Sequence, residues 1–223
     1  MLSALKAIIG KDIIMEFKTK QMTSAMLIFS GLVIVIFSFA FDLSMDVLQK
    51  VLPGMIWVAL IFSSILGLNR SFTMEKSNDC MQGLLLIPSD RTMIFLGKFI
   101  SNLIFVLLTQ IVIVPGFFIL FDYRFQGSVA LLSLVLLVGT IGFIAIGTFL
   151  AALASNSRMS DMLLPIILFP VSVPLIIAGV QSTSFIFQGQ GFEAFSSWLY
   201  LMIVFDVIFL VIPYMLFDYV MEV

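Results

Sequence analysis

Asp206 is the residue whose position most clearly predicts chemistry. It lies midway along an otherwise uncharged, apolar run from Ser197 to Phe217. A carboxylate near the centre of a bilayer is costly, so such residues usually face the interior of the bundle and mark a functional site. The alternative is a hydrogen-bonded carboxyl group that pairs with a Ser or Thr of the same bundle. We therefore name Asp206 as a candidate gating or translocation residue.

Several classes of chemistry are excluded by what the sequence lacks. There is no histidine, which removes the Ser-His and Cys-His dyads and the commonest metal ligand. Cys80 is the only cysteine, so neither an intramolecular disulfide nor a zinc cage can form. No glycine-rich phosphate loop is present, and the 11 basic residues are dispersed, which argues against nucleic acid as a partner. We predict no catalytic residue and no bound metal.

Composition then predicts the elements that position Asp206. Of the 223 residues, 61% are hydrophobic and 11% are charged, and the mean hydropathy is +1.21. A water-soluble domain usually carries about 25% charged residues. We predict an all-α integral membrane protein with one transmembrane domain over residues 22–217 and a short tail, 218–223. Charged residues delimit six stretches of spanning length, at about 22–41, 51–68, 99–121, 129–154, 162–180 and 197–217; the first five are uncharged and the sixth contains Asp206.

The distribution of basic residues predicts the orientation. Nine of the 11 Lys and Arg residues fall on one side of the predicted membrane, and only Lys50 and Arg124 fall on the other. Because basic loops stay in the cytoplasm, we predict that both termini are cytoplasmic.

Residues 1–21 predict an interfacial amphipathic helix. Leu5, Ile9, Ile13 and Phe17 recur every four residues and form one apolar stripe. A basic amphipathic helix beside an anionic leaflet lies in the interface and contacts membrane lipid. The alternative is a simple anchor with no further role.

The connection over residues 69–97 is the one long cytoplasmic loop of the predicted topology. It combines a polar arm, which includes Glu75 and Asp79, with an apolar patch of Leu84, Leu85 and Leu86 that ends before Pro88. The patch is too short to span a membrane, and Pro88 interrupts a helix. We predict a docking surface for a partner protein; the alternative is a loop folded back onto its own bundle.

Spans four and five have unusual compositions. Gly139, Gly142 and Gly147 give span four a small-residue face that suits either internal packing or dimerisation. Span five contains Pro165, Pro170 and Pro174, each of which deletes a backbone hydrogen bond. We predict a kinked or broken helix there, with Pro170 and Pro174 as gating candidates, followed by a segment over 181–196 that dips back into the outer leaflet.

The sequence resembles the cytochrome c maturation protein B family, the permease subunits of haem exporters. The residues that carry the resemblance are Pro53-Gly54-Met55-Ile56-Trp57-Val58-Ala59, Ser63-Ser64, Arg70-Ser71-Phe72, Leu84-Leu85-Leu86-Ile87-Pro88, Lys98, Gly139-Thr140, Gly142-Phe143, Pro165, Phe169-Pro170 and Pro174-Leu175. They extend over nearly the whole chain.

This resemblance implies a type-2 ABC transporter permease fold, in which the interfacial helix and the loop between spans two and three contact a separate cytoplasmic ATPase. It also implies a second copy of the chain, a haem-handling membrane subunit, and a function in cytochrome c maturation, namely ATP-driven haem delivery or release of a haem-loaded chaperone. The implied location is the bacterial inner membrane, or the mitochondrial inner membrane. ATP and haem are expected on partner subunits, because a chain without histidine lacks the usual axial haem ligand.

Other functions remain compatible with the residues themselves. A type-2 ABC exporter of a lipid, a glycan or another hydrophobic substrate would have the same architecture. An ATP-independent carrier or channel would not need the 69–97 loop as a docking surface. An intramembrane enzyme is the weakest candidate, because the sequence has no histidine and no clustered carboxylates.

The first prediction concerns topology. Reporter fusions after Gln49, Ser77, Gln126 and Gly191 should report the outside, the inside, the outside and the outside, in that order, because the basic residues place the connections alternately on the two sides. An inside signal at Gly191 would contradict six spans.

Overall fold

The computed structural model describes residues 2–41, 44–77, 92–155 and 160–220. Over these residues the chain forms helices joined by short connections, without a β-strand. The helices are α1 (Leu2–Thr19), α2 (Gln21–Ala40), α3 (Met45–Ser77), α4 (Thr92–Leu120), α5 (Val129–Ser155), α6 (Ser160–Phe187) and α7 (Phe192–Val220). Within the described ranges, the six helices α2 to α7 are long and apolar enough to cross a membrane. The predicted all-α membrane fold is confirmed.

Helix α3 forms the centre of the bundle. Of its most apolar window, within Val47–Ser71, 72% is buried, against 22% for α2 and 28% for α7. It packs against α2, α4, α5 and α6. The outer helices keep large apolar side chains on their exposed faces, as expected where lipid rather than water surrounds the protein.

Trp57 fixes α3 between α5 and α6. Its indole ring lies directly on Gly139 of α5 and Gly179 of α6, where a side-chain methyl group would overlap the ring. The indole N–H donates to Thr183 Oγ1 at 3.0 Å, and that hydroxyl donates to the Gly179 carbonyl at 2.8 Å. The two glycines are therefore required by the space that the indole occupies, and the polar atom of a buried Trp is satisfied.

The small-residue face of α5 serves packing within the chain. Gly142 lies against the Asp206 carboxylate, and a Cβ at Gly147 would stand 2.5 Å from Leu68 Cδ1. Two alternatives were open for this face, internal packing and dimerisation, and these contacts favour the first.

Helices α4 and α5 are joined by two side-chain hydrogen bonds. Asn102 Nδ2 donates to Thr148 Oγ1 at 3.2 Å, and Gln110 Nε2 donates to Thr140 Oγ1. Asn102 and Gln110 are eight residues apart on α4, and Thr140 and Thr148 are eight residues apart on α5. The two bonds are therefore about 12 Å apart along the helices. Bonds of this kind stabilise helix pairs in lipid by about 0.6 kcal/mol each, and their spacing sets the antiparallel register.

Helix α6 is continuous, so of the predicted kinked or broken helix the broken form is not observed. It contains Pro165, Pro170 and Pro174 yet continues as one helix to Phe187, and α7 begins at Phe192. The segment expected to dip into the outer leaflet is therefore largely helical. Near the end of α6, the Thr183 hydroxyl donates to the Gly179 carbonyl of the same helix and accepts from the Trp57 indole of α3.

The predicted outer end of the bundle is closed by aromatic side chains. Tyr123 stacks on Phe187 with ring centroids 5.3 Å apart, and Phe118 and Phe125 also contact Phe187. Gln49 Nε2 donates to the Phe187 carbonyl. Burial raises the pKa of the Tyr123 phenol. The hydrogen bond between Tyr123 and Gln49 lowers that pKa by a smaller amount, so the pKa remains raised. This cluster holds the α4–α5 connection against the end of α6.

The second prediction follows from the Trp57 contacts. Gly139→Ala should lower the free energy of unfolding by about 1–3 kcal/mol, because the added methyl group overpacks the ring. Thermal unfolding of the wild type and the variant in detergent measures this loss of stability.

The matched control is Gly31→Ala in α2, where nothing lies within 4 Å of an added Cβ. It should leave stability unchanged or raise it slightly, since Ala is the better helix former. Equal stability of the two variants would contradict the packing described for Trp57.

Candidate functional site

The buried face of α1 carries two carboxylates. Ile8, Asp12 and Glu16 recur every four residues and are all buried, at 2%, 9% and 6% exposure. Of the predicted stripe, Leu5, Ile9 and Ile13 are half-buried and Phe17 is 69% exposed. The predicted apolar stripe therefore lies beside the buried face of α1. The residues that face inward are Ile8, Asp12 and Glu16.

Asp12 forms a buried ion pair with Lys98 of α4. The Lys98 ammonium lies 3.0 Å from Asp12 Oδ2, and Lys11 lies 3.4 Å from Asp12 Oδ1. Only 3% of the Lys98 side chain is exposed. One turn of α1 earlier, Ile8 packs so closely on Gly97 that a Cβ there would stand 2.7 Å from Ile8 Cγ2. Helix α1 is thus fixed to the start of α4 by a charge pair and by close apolar packing.

Glu16 caps the first turn of α2. Its carboxylate accepts hydrogen bonds from the backbone N–H of Met22 at 3.2 Å and of Thr23 at 2.7 Å, and from the Thr23 hydroxyl at 2.7 Å. Lys20, the residue before α2, has φ 53° and offers no side-chain cap. The first amides of a helix lack acceptors within it, and here a carboxylate of the preceding helix supplies them.

Four helices meet at a small cavity beside these pairs. It has a volume of about 20 Å³ and is lined by residues of α1, α2, α3 and α4, among them Asp12, Glu16, Ser71 and Lys98. Helix α3 ends at Ser77, six residues after Ser71, and α4 begins at Thr92, six residues before Lys98. The connection over 78–91 therefore joins two helices whose ends are near this cavity in sequence. We call the set Ile8, Asp12, Glu16, Gly97 and Lys98 the α1 junction.

The predicted docking residues of the connection cannot be located. Asp79, Leu84, Leu85, Leu86 and Pro88 lie outside the described residues. Glu75 belongs to the last turns of α3, but its side chain is likewise outside the description.

The intramembrane candidates separate into two locations. Pro170 and Pro174 lie on the exposed face of α6. Asp206 is 8% exposed and lies against Gly142, and its Oδ1 atom has no hydrogen-bond partner among the described residues. The interior position expected for Asp206 is observed, and the structure does not bring the two prolines to it.

Asp12, Glu16 and Lys98 were not singled out as site residues from the sequence. Two signals point to them in hindsight. Lys98 stands alone within an apolar stretch, Met93 to Ile100, where a charge needs a partner. Ile8, Asp12 and Glu16 share one helical face, and Asp12 is the acidic residue at its centre.

The third prediction tests the ion pair. Asp12→Ala should destabilise the protein by about 3–5 kcal/mol, because it removes the carboxylate that faces the buried Lys98 ammonium. Asp12→Ala combined with Lys98→Met should recover most of that loss, since the remaining side chains are apolar. Lys18→Ala, at an exposed position of α1, is the control and should change nothing. A double variant no more stable than Asp12→Ala would show that the charges are not coupled.

Comparison with known proteins gives a consistent result. The family model described as CcmB protein matches residues 3–219. Heme exporter protein B of Pseudomonas aeruginosa is 24% identical over 199 residues, which are 89% of each chain. Heme exporter protein B of Bradyrhizobium diazoefficiens is 27% identical over 193 residues, 84% of each chain, and that of Haemophilus influenzae is 28% identical over 146 residues, 66% of each. Because the family model covers nearly the entire sequence, this six-span membrane chain belongs to the CcmB protein family.

Proposed function

We propose that this protein is the permease subunit of an ABC transporter complex for cytochrome c maturation. It couples ATP hydrolysis by a separate cytoplasmic ATPase to haem delivery or to release of a haem-loaded chaperone. Support comes from its family and from relatives that are named heme exporter protein B. The chain is a transport component, and the ATP and haem sites belong to partner subunits: the ATPase and a haem-handling membrane subunit. The complex holds two copies of the chain in the bacterial inner membrane.

The observation that carries this proposal is the α1 junction. A transmission element must be rigidly attached to the helix that it moves. Lys98 and Gly97 lie in the second turn of α4, soon after the 78–91 connection, and both are locked onto α1. A displacement of that connection by the ATPase therefore moves α1 and α4 together.

The contacts of α4 give this displacement a route into the bundle. The Asn102–Thr148 and Gln110–Thr140 hydrogen bonds tie α4 to α5, and Gly142, between those two threonines on α5, lies against Asp206 of α7. A shift of α4 along its axis is thereby passed to α5 and then to the buried carboxyl group. The route consists of direct contacts between side chains. Double-mutant cycles that measure the coupling energy of each contact test it.

Haem ligation is assigned to other subunits for a chemical reason. The usual axial ligands are His, Cys thiolate, Met and Tyr. This chain has no His, and five of its 14 Met residues are buried packing side chains of the bundle, namely Met22, Met26, Met55, Met93 and Met202. Haem that is ligated through histidine must therefore be held by another member of the complex.

The fourth prediction tests ATPase docking at the apolar patch of the 69–97 connection. Leu85→Glu should reduce the amount of ATPase that co-purifies in mild detergent by about tenfold or more, because a carboxylate placed in an apolar contact is desolvated without a partner. Cytochrome c maturation should fail in the same cells, while membrane insertion stays intact.

The matched control is Leu43→Glu, the same substitution in the connection predicted on the opposite side of the membrane. It should leave both ATPase recovery and maturation unchanged. If Leu85→Glu retains full association and maturation, the patch is not the docking surface, and the exposed part of α1 becomes the next surface to test. Recovery of a glycan-modifying enzyme in place of a haem-handling subunit would favour the alternative exporter.

A further inference from the structure

An open groove lies between the end of α1, the first turns of α2 and the middle of α4. Its volume is about 450 Å³, within the range of ligand sites. One end is polar and is lined by Lys20, Thr23 and Ser24; the other is apolar and is lined by Leu27, Ile28 and Leu108. The groove is therefore amphipathic along its length.

The polar end offers one unpaired positive charge. Lys20 is exposed, and its ammonium group forms no ion pair within the part of the chain that the structure describes. Glu16 also borders the groove, but its two oxygens already accept hydrogen bonds from Met22 and Thr23. The Lys20 charge thus remains available to an anion.

The apolar end belongs to spanning helices. Ile28 is 70% exposed and Leu108 is 50% exposed, and both lie on segments that are apolar enough to cross the membrane. Eight residues of α2 separate Lys20 from Ile28, about 12 Å along a helix. This distance suits a molecule with an anionic head at the membrane surface and a hydrocarbon chain that continues into the bilayer.

We propose that the groove binds one anionic glycerophospholipid from the leaflet on the α1 side. Its phosphate contacts the Lys20 ammonium, and one acyl chain lies along Leu27, Ile28 and Leu108. A peptide would have to bring its backbone polar groups into the hydrocarbon region, whereas an acyl chain brings none. The lipid touches α1, α2 and α4 at once and so holds the turn between the first two helices.

Native mass spectrometry of the full-length chain, with phosphatidylglycerol added in detergent, tests this site. The wild-type protein should retain one phosphatidylglycerol molecule in preference to phosphatidylcholine. Lys20→Gln should weaken that binding about fivefold, the effect expected of one lysine near an anionic lipid. Lys18→Gln is the matched control, because Lys18 is an exposed lysine close by that does not line the groove; it should bind as the wild type does.

A second variant tests whether the lipid occupies the groove itself, by filling the groove with a side chain. Ser24→Phe places a ring in the groove and should abolish retention of the lipid, with helical content unchanged by circular dichroism. The proposal is overturned if Lys20→Gln and Lys18→Gln weaken binding equally, which would indicate general attraction to anionic lipid. It is also overturned if a folded Ser24→Phe protein keeps the lipid, or if neither charge removal changes binding.

Discussion

The hydrocarbon core of a bilayer offers no hydrogen-bond partner to a polar group, and this constraint organises the described helices. Four buried polar contacts each join two helices: Trp57 with Thr183, Asn102 with Thr148, Gln110 with Thr140, and Asp12 with Lys98. These contacts fix the relative positions of α3 and α6, of α4 and α5, and of α1 and α4. The buried Oδ1 atom of Asp206 has no hydrogen-bond partner among the described residues, and the same holds for Asn102 Oδ1 and Ser182 Oγ. Asp206 is the ionisable residue of these three, and an ionisable residue within a membrane-spanning helix is by default a candidate functional site.

The helices could be predicted from the sequence because their cause is local. Apolar runs of spanning length, with Asp206 as the one internal charge, are sufficient to count six spans, and four-residue periodicity is sufficient to find α1. The end of α6 could not be predicted, because Thr183 there bonds to Trp57, which is distant in sequence. The three prolines predicted a kinked or broken helix, and α6 is continuous from Ser160 to Phe187 with Pro170 and Pro174 on its exposed face.

The α1 junction shows a different limit. An apolar stripe identifies a helix face that avoids water, but it does not show which neighbouring face meets protein and which meets lipid. Asp12 and Glu16 appear polar in any hydropathy pattern, whereas the structure turns them inward because Lys98 and the first amides of α2 need acceptors. Charge complementarity between α1 and α4 was the missing information. The docking residues of the 69–97 connection remain a prediction from sequence alone.

The position of Trp57 also makes its intrinsic fluorescence sensitive to the packing of α3. The chain has only two tryptophans, and the buried indole of Trp57 lies against Gly139 and Gly179 with its N–H bonded to Thr183. An indole in so apolar a setting emits at short wavelength, and separation of α3 from α5 or α6 admits lipid headgroups or water and moves the emission to the red. With Trp198 replaced by phenylalanine, the emission colour of a single residue records how the central helix sits during a transport cycle.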